Sequence, residues 1–310
     1  MSKYPDPRKH IILSQQFDNE FLFEVFRLAE DIRSNPLDYS DVLRNKVIAL
    51  LFYEPSTRTR FSFESAVMRL GGGAIMTENA TEFSSVSKGE TLADTIRTVS
   101  NYVDAIILRH KDDDSSKTAL ATSSVPIINA GSGKSQHPTQ ALLDAYTIWR
   151  RFGTLEGLSV CFVGDLLRGR TVDSLVYLLS KFARNSFHFV APENCRLKSG
   201  LREHLDEHGV QYTETEKIVE CLSKTDVLYM TRIQQERFAE QQEYEKAKGK
   251  YVLDAEMVGQ MQDSAIIMHP LPRIDEISVD VDDDPRAVYF QQTENGMWVR
   301  MALLTLIFGK

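Results

Sequence analysis

The sequence predicts an α/β protein with two doubly wound domains, each built on a central parallel sheet flanked by helices, and with interdomain helices joining them. The chain has 310 residues, 42% of them hydrophobic, and a single core stops growing at about 250 to 300 residues. Short β-rich runs alternate with amphipathic helical stretches almost throughout, which is typical of parallel sheets covered by helices on both faces. No internal repeat of about 20 to 50 residues interrupts this alternation.

Strands and helices are assigned from the period of the apolar residues. Leu92, Ile96 and Val99 recur at i, i+4 and i+7 within a predicted helix at 90–102, and the same spacing predicts a helix at 171–182. Strands are predicted where short apolar runs are bounded by polar or turn residues. The predicted strands span residues 47–52, 105–109, 126–130, 158–164, 187–191, 226–230 and 265–268.

The domain boundary is predicted beside a helix at 138–151. That helix is followed by Phe152 and a glycine, and a new βα series begins at Leu158. A last helix at 293–308 follows an acidic run and is expected to pack back on the first domain. The predicted domains are therefore residues 1–137 plus 293–310, and residues 138–292.

The composition argues against several classes of protein. A net charge of −8 and a pI near 5.5 disfavour nucleic-acid binding, which needs a basic face. Cys161, Cys195 and Cys221 lie far apart without a CxxC pair, so buried thiols in a reducing compartment are expected. Residues 1–10 lack the apolar core of a signal peptide, and the apolar runs are far shorter than the roughly 20 residues that span a bilayer. We expect a cytoplasmic protein without nucleic-acid or membrane partners.

The first cluster of chemically informative residues follows the strand at 47–52. In open α/β sheets, ligands bind beyond the carboxyl ends of the strands. Ser56, Thr57 and Thr59 place hydroxyl groups at the first turn of the next helix, and Arg58 adds a guanidinium. With the backbone N–H groups and the helix dipole, this turn suits a phosphate. The alternative is an ordinary Ser/Thr cap beside solvated arginines.

Other strand ends carry similar side chains, which favours the phosphate-site interpretation over a plain helix cap. These polar strand ends are Arg109, residues 129–137, residues 165–170, Arg232 and residues 269–273.

Several motifs resemble those of the aspartate and ornithine carbamoyltransferase family. Residues 52–60 read FYEPSTRTR and residues 137–140 read HPTQ, which are similar to the family's carbamoyl-phosphate motifs. Residues 269–273 read HPLPR, as in the aspartate branch, whereas ornithine-type enzymes carry a cysteine after that histidine. Residues 229–234, YMTRIQ, also fit the aspartate branch. The similarity covers nearly the whole chain, with the motifs in the same order.

The resemblance implies transfer of a carbamoyl group from carbamoyl phosphate to the amino group of L-aspartate, in de novo pyrimidine biosynthesis. The products would be N-carbamoyl-L-aspartate and phosphate. Residues 1–137 plus 293–310 would bind carbamoyl phosphate, and residues 138–292 would bind aspartate. No cofactor or metal is expected. Transfer to another amine, such as ornithine, and a non-catalytic carbamoyl phosphate sensor stay open as alternatives, as does a separate regulatory chain.

The resemblance also assigns roles around carbamoyl phosphate, whose carbonyl must become more electrophilic as phosphate departs. Thr59, Arg109 and His137 would point at the carbonyl oxygen, with Gln140 near the carbamoyl amine. A lone histidine before proline is otherwise more often a cap or core residue. The expected catalytic residues are Arg58, Thr59, Lys88, Arg109 and His137. The expected ligands of carbamoyl phosphate are Ser56, Thr57, Arg58, Thr59, Arg109, His137, Gln140, Leu271 and Pro272.

Aspartate carries two carboxylates, which call for planar cationic forks spaced apart. Arg170, Arg232 and Gln234 match the family's aspartate-binding positions, together with Lys88. Taken alone, an arginine at a strand end is more often a solvated surface residue. The backbone carbonyl of Leu271 would orient the attacking amine, and the resemblance implies a cis bond from Leu271 to the proline that follows.

The polar stretch 77–89 lacks periodicity and reads as a mobile surface loop. In the family, this loop reaches into a neighbouring subunit's site. Ser84 and Lys88 match the family's residues there, although Ser85 is a rival one position away. The resemblance therefore implies a homotrimer with shared active sites.

Three local patterns imitate other kinds of site. Residues 131–135, GSGKS, resemble a P-loop, but Ile128 stands where the first glycine belongs. Residues 204–208 fit the H-x-x-E-H metal pattern without an evident third ligand. Residues 280–284 resemble the start of a calcium loop, but Pro285 replaces the needed glycine. None of the three predicts a cofactor.

Overall fold

A computed structural model of the chain describes residues 4–78, 89–235, 238 and 240–309. The chain divides into two compact units, one formed by Met1–Tyr146 with Thr293–Lys310 and the other by Thr147–Gln292. The boundary between Tyr146 and Thr147 falls inside a helix that begins at Pro138, so that helix contributes residues to both units. The predicted division at 137/138 into two substrate-binding domains stays a prediction.

The first unit is built on a parallel sheet with the order β2-β1-β3-β4. Every residue of β1 after Val47 is buried, which is typical of a parallel strand covered on both faces. The strands of this sheet are β1 (Val47–Phe52), β2 (Gly73–Glu78), β3 (Ala105–His110) and β4 (Ile127–Ser132).

The second unit is built on a parallel sheet with the order β7-β6-β5-β8-β9. The order reverses direction at β5, which is where open α/β sheets bind their ligands. The strands of this sheet are β5 (Ser159–Val163), β6 (Ser186–Val190), β7 (Gln211–Thr215), β8 (Val227–Met230) and β9 (Ile266–Met268).

Helices connect these strands, so the predicted fold class is confirmed. In the first unit they are α1 (Asn19–Ser34), α2 (Thr57–Arg69), α3 (Leu92–Val99) and α4 (Ser115–Thr122). In the second they are α6 (Arg170–Leu179), α7 (Ser199–Glu207), α8 (Gln241–Ala247) and α9 (Ala255–Val258). Helices α5 (Pro138–Phe152) and α10 (Tyr289–Phe308) contribute residues to both units. Short 3-10 turns lie at Ser14–Gln16, Pro36–Tyr39, Glu193–Cys195, Ile218–Glu220, Leu222–Lys224 and Val279–Val281.

Two edge strands, β2 and β7, were missing from the sequence-based assignment. β7 exposes most of its length to solvent and reads QYTET, so it lacks the apolar run that marked the other strands. β2 reads GAIMTE and begins with glycine. Edge strands need bury only part of their surface, and their hydrophobic signal is correspondingly weaker.

Candidate active site

The parallel register of the first unit brings the carboxyl ends of three strands to one edge of its sheet. Phe52 of β1 pairs with Arg109 of β3, and His110 pairs with Ser132 of β4. The chain leaves β1 with the amide of Tyr53 donating to the carbonyl oxygen of Arg109 at 2.8 Å. The polar segments that follow these strands therefore start from the same edge.

The first turn of α2 lies directly after β1. Ser56 is the N-cap residue, and its side chain makes no capping hydrogen bond. The turn holds no acidic residue, and its leading amide N–H groups have no acceptor within the helix. Thr57 and Arg58 are exposed, whereas Thr59 is buried. The turn thus offers amide, hydroxyl and guanidinium donors, which is the arrangement that binds a phosphate.

Arg109 is fixed at the end of β3 by contacts on two sides. Its Nη1 donates to the carbonyl oxygen of Ala130 at 3.3 Å, and its Nε lies 3.7 Å from Oε2 of Glu54. Glu54 belongs to the segment between β1 and α2 and had no predicted role. By pairing with Arg109, it orients the guanidinium at the end of β3.

The segment that leads from β4 to His137 is held by Asn129, which is fully buried. Its Nδ2 donates to the carbonyl oxygen of Ile12 at 2.8 Å, and its Oδ1 accepts from the amide of Gly131 at 2.7 Å. Gly133 has a φ of 43°, and a Cβ there would lie 2.0 Å from Oδ1 of Asp113. The GSGKS run is therefore a tight turn in which only glycine fits at position 133.

His137 and Gln140 lie at the start of α5 and are both buried. His137 is 4% exposed, and its backbone carbonyl accepts from the amides of Gln140 at 3.0 Å and Ala141 at 3.2 Å. Nε2 of Gln140 donates to Oδ1 of Asp144 at 2.8 Å. Both residues follow the end of β4, so they start from the same sheet edge as Arg109.

In the second unit, Arg170 is the first residue of α6 and is 4% exposed. The preceding Gly169 approaches the backbone of the loop closely, because a Cβ there would lie 2.5 Å from the carbonyl oxygen of Asp165. Asp165 is buried, and its Oδ1 accepts from the amide of Arg168 at 3.0 Å. A buried arginine in such a tight turn is not the solvated surface residue that the sequence left open.

Arg232 and Gln234 follow the end of β8, the strand that neighbours β5. Thr231 anchors this exit, since its Oγ1 donates to the carbonyl oxygen of Val163 at 2.8 Å. Gly164 has a φ of 121°, and a Cβ there would lie 2.2 Å from the carbonyl oxygen of Thr231. Arg232 and Gln234 are half-buried. They start from the same sheet edge as the loop that leads to Arg170.

The HPLPR loop follows β9 and is shaped by His269. Nδ1 of His269 accepts from the amide of Leu271 at 2.7 Å, and its Nε2 lies 2.7 Å from Oε1 of Glu276. Nε2 must therefore carry the proton and donate to the carboxylate. Burial raises the pKa of Glu276, but the hydrogen bond and charge of His269 together with backbone hydrogen bonds outweigh it, so the pKa lies below its usual range. The bond between Leu271 and Pro272 is cis.

Arginine side chains occupy the acidic run that resembles a calcium loop. Arg273 pairs with Asp282 through Nη1 and Nη2, and its Nη1 also donates to Oη of Tyr289 at 3.1 Å. Arg286 pairs with Asp284 at 2.8 Å. Among the residues described, no cluster of three or more His, Cys, Asp or Glu side chains could hold a metal ion. In that same part of the chain, every helix is too short or too polar to cross a bilayer.

Ser84, Ser85 and Lys88, the residues expected to reach a neighbouring subunit, lie outside the described residues. The remaining predicted residues follow strand ends within their own units. In the first unit these are Ser56, Thr57, Arg58, Thr59, Arg109, His137 and Gln140. In the second unit they are Arg170, Arg232, Gln234, Leu271 and Pro272.

A parallel α/β unit with hydroxyl and cationic groups at its strand ends, present twice in one chain, defines a two-domain enzyme for small anionic substrates. Two family models match the chain. Residues 9–150 match the carbamoyl-P binding domain of aspartate/ornithine carbamoyltransferase, and residues 156–307 match its Asp/Orn binding domain. The chain belongs to the aspartate/ornithine carbamoyltransferase family.

Individual relatives lie on the aspartate branch of this family. The chloroplastic aspartate carbamoyltransferase of Arabidopsis thaliana is 52% identical over 96% of this chain and 77% of its own. The catalytic subunit of the M. jannaschii aspartate transcarbamoylase has a TM-score of 0.89 at 47% identity, covering 96% of this chain and 97% of its own. Aspartate transcarbamoylase from Trypanosoma cruzi, solved with N-(phosphonacetyl)-L-aspartic acid, has a TM-score of 0.90 at 39% identity, covering 96% and 95%.

Proposed function

We propose that the chain transfers the carbamoyl group of carbamoyl phosphate to the amino group of L-aspartate, giving N-carbamoyl-L-aspartate and phosphate. The observation that carries this proposal is the 52% identity to an aspartate carbamoyltransferase over 96% of the chain. Structures of the Trypanosoma cruzi relative hold carbamoyl phosphate with aspartate, and carbamoyl aspartate with phosphate. The reaction belongs to de novo pyrimidine biosynthesis.

The phosphate of carbamoyl phosphate would bind at the first turn of α2. This turn combines exposed donors on Thr57 and Arg58 with an N-cap residue, Ser56, whose side chain makes no capping bond. Arg109, oriented by Glu54, adds a second guanidinium. The net charge of −8 does not oppose binding of a dianion there, because short-range charged hydrogen bonds outweigh distant screened charges.

The carbonyl oxygen of carbamoyl phosphate would accept hydrogen bonds from Thr59, Arg109 and His137. As the amine of aspartate attacks, negative charge grows on this oxygen, and donors fixed beforehand stabilise it most. Thr59 and His137 are buried, so little water competes with them. The carbon–phosphate oxygen bond then breaks, phosphate departs, and the attacking nitrogen loses a proton. Positioning and charge suffice for these steps, without a covalent enzyme intermediate.

Aspartate would be held by residues of the second unit. Arg170 and Arg232 would each take a carboxylate through a planar fork, and Gln234 would add a hydrogen bond. The backbone carbonyl of Leu271 would accept from the amine and aim its lone pair. The bond from His269 to the Leu271 amide supports this role, because it fixes the peptide group next to that carbonyl.

Aspartate-dependent turnover is the expected result when the purified chain receives carbamoyl phosphate with either amine. Carboxylate forks built for aspartate should reject ornithine by at least about 1,000-fold in kcat/KM. The measurement is phosphate release together with product identification, with and without a chelator, which should have no effect. Citrulline formed in preference to carbamoyl aspartate would favour the ornithine alternative, and no turnover with either amine would favour a sensor.

The active form would be a homotrimer in which Ser84 and Lys88 of one chain complete the site of the next. An exposed apolar face on α2 supports self-association. Phe61 is 54% exposed and Met68 is 64% exposed, and they share one side of the helix that would hold the phosphate. One relative is named as a catalytic subunit, which is consistent with a separate regulatory chain. The acidic composition and buried cysteines favour a cytoplasmic location.

Shared sites predict that two inactive variants complement each other. Lys88→Ala and Arg58→Ala chains, unfolded together and refolded in equal amounts, should recover activity at about a quarter of the sites if they mix at random in trimers. The matched control mixes Arg58→Ala with His137→Ala, which remove residues of one chain's own set and should recover none. Equal recovery in both mixtures, or none in either, would contradict sharing through Lys88.

A further inference from the structure

Helix α10 carries an arginine that is buried in the first unit. Arg300 is 3% exposed, and its Nη1 donates to Oγ of Ser62 on α2 at 2.7 Å. Its guanidinium lies over the ring of Phe63 at 4.8 Å. A buried cation is expensive unless it is paired with an anion and hydrogen-bonded. The acidic residue that offsets the charge of Arg300 should therefore indicate the role of Arg300.

Asp144 on α5 supplies the counter-charge. It is fully buried. Burial lowers the pKa of Arg300 to about 10, while the negative charge of Asp144 acts to raise it. Arg300 is therefore charged at neutral pH, and a charged arginine favours the ionised form of the carboxyl nearby. Arg300 on α10 and Asp144 on α5 are therefore two buried residues of opposite charge that act on each other electrostatically.

The contact with Asp144 fixes which way the amide of Gln140 faces. Oδ1 of Asp144 lies 2.8 Å from the amide nitrogen of Gln140. A carboxylate can only accept hydrogen bonds, so it must face the NH₂ group of Gln140 and not the carbonyl oxygen. The assignment of the amide ends therefore follows from the chemistry of the partner. The carbonyl oxygen of Gln140 is left to accept from another donor.

We propose that Asp144 and Arg300 are positioning residues which fix Gln140 so that its carbonyl oxygen accepts an N–H from the carbamoyl amine. The inference rests on the proposed function and explains how that site distinguishes carbamoyl phosphate from acetyl phosphate. Carbamoyl phosphate carries an NH₂ group where acetyl phosphate carries a methyl group. A fixed acceptor at this point selects the former, because the methyl group would leave the buried oxygen without a donor.

Arg300 is also tightly packed, which gives a steric way to displace its guanidinium. Gly296 lies one turn before Arg300, and a Cβ there would lie 2.9 Å from Nη1 of Arg300 and 3.0 Å from Cδ2 of Leu143. Alanine is a better helix former than glycine. Gly296→Ala should thus favour the helix while pushing the guanidinium out of place, without removing either charge.

Asp144→Asn is the most direct test. The amide oxygen of the new residue should face Arg300, its NH₂ group should then face Gln140, and the amide of Gln140 should turn over. We expect kcat/KM for carbamoyl phosphate to fall by about 10- to 100-fold. The inhibition constant of acetyl phosphate, measured in competition with carbamoyl phosphate, should change by less than about threefold, since a methyl group makes no hydrogen bond.

Arg300→Met should give the same selective loss, because an unpaired buried carboxyl takes up a proton and can then donate. The double variant Asp144→Asn with Arg300→Met should be little worse than either single variant, since both break one linked arrangement. Arg300→Lys keeps the charge and should retain most of the selectivity. Gly296→Ala should shift the selectivity for carbamoyl phosphate over acetyl phosphate in the same direction as Arg300→Met. It provides a folded variant if the charge changes prevent folding.

Val299→Ala is the matched control. Val299 is fully buried on the same helix and carries no polar group, so its truncation should lower the melting temperature without changing the ratio of the two constants. Equal losses for carbamoyl and acetyl phosphate in Asp144→Asn, or no loss for either, would overturn the positioning role. If the wild-type chain itself fails to use carbamoyl phosphate, the proposed function fails instead, and the two failures are therefore distinguishable.

Discussion

Replacing His137 by alanine should lower kcat by about 100- to 1,000-fold, the usual effect of losing one preorganised donor to a developing oxyanion. His137 is buried at the start of α5, and it follows a strand that ends at the same sheet edge as the strand of Arg109. The donor matters most when negative charge develops on the carbonyl oxygen, so KM for carbamoyl phosphate should change much less than kcat. Steady-state kinetics with both substrates varied is the measurement.

Two further histidine variants separate this role from a general effect on the fold. His137→Gln retains an N–H donor and should keep more activity than alanine. His188→Ala removes a half-buried histidine of β6 that bonds to Thr213 at 2.8 Å, and turnover should stay near that of the wild type. If His137→Ala turned over nearly normally, the assignment of His137 to the carbonyl oxygen would be wrong.

Replacing Arg232 by alanine should raise the aspartate requirement by about 100-fold, because a bidentate, charge-assisted contact to a carboxylate is lost. KM for carbamoyl phosphate should change by less than about threefold, since that substrate is assigned to other residues. Arg232→Lys keeps the charge but loses the planar fork, so its effect should lie between wild type and alanine. Both KM values are measured with the other substrate saturating.

Arg202 offers the matched control for Arg232. It also lies in the second unit, and it pairs with Glu214 at 2.6 Å with its side chain partly exposed. Surface pairs of this kind contribute little to stability, so Arg202→Ala should leave both KM values near those of the wild type. Equal increases in both KM values for Arg232→Ala would contradict the assignment of this arginine to aspartate.

The central strands could be predicted from the sequence because burial on both faces makes them continuously apolar. The prediction for β1 matched the structure at both ends, and all its residues but the first are buried. β2 and β7 could not be predicted in the same way, because an edge strand can expose most of its length, as β7 does. Edge position is decided by the order of strands in the sheet, which a local pattern does not contain.

The candidate site shows a similar division. Residues with motif signals, such as Arg58 and His137, were predicted from their place after strands and from the family resemblance, and their roles stay predictions. The sequence assigned no role to Glu54, Asp144 or Arg300. Glu54 orients Arg109, and Asp144 and Arg300 are proposed to orient Gln140. Arg300 lies more than a hundred residues from Asp144 in the chain. Only the packing of α10 in the first unit relates the two.

The most direct test is a crystal structure of the chain with N-(phosphonacetyl)-L-aspartate, which joins a phosphonate to an aspartate through one acyl group. We expect the phosphonate to contact Ser56, Arg58 and Arg109, the acyl oxygen to contact His137, and the carboxylates to contact Arg170 and Arg232. A ligand bound elsewhere on the chain, or bound through its phosphonate alone with Arg170 and Arg232 facing solvent, would contradict the proposed site.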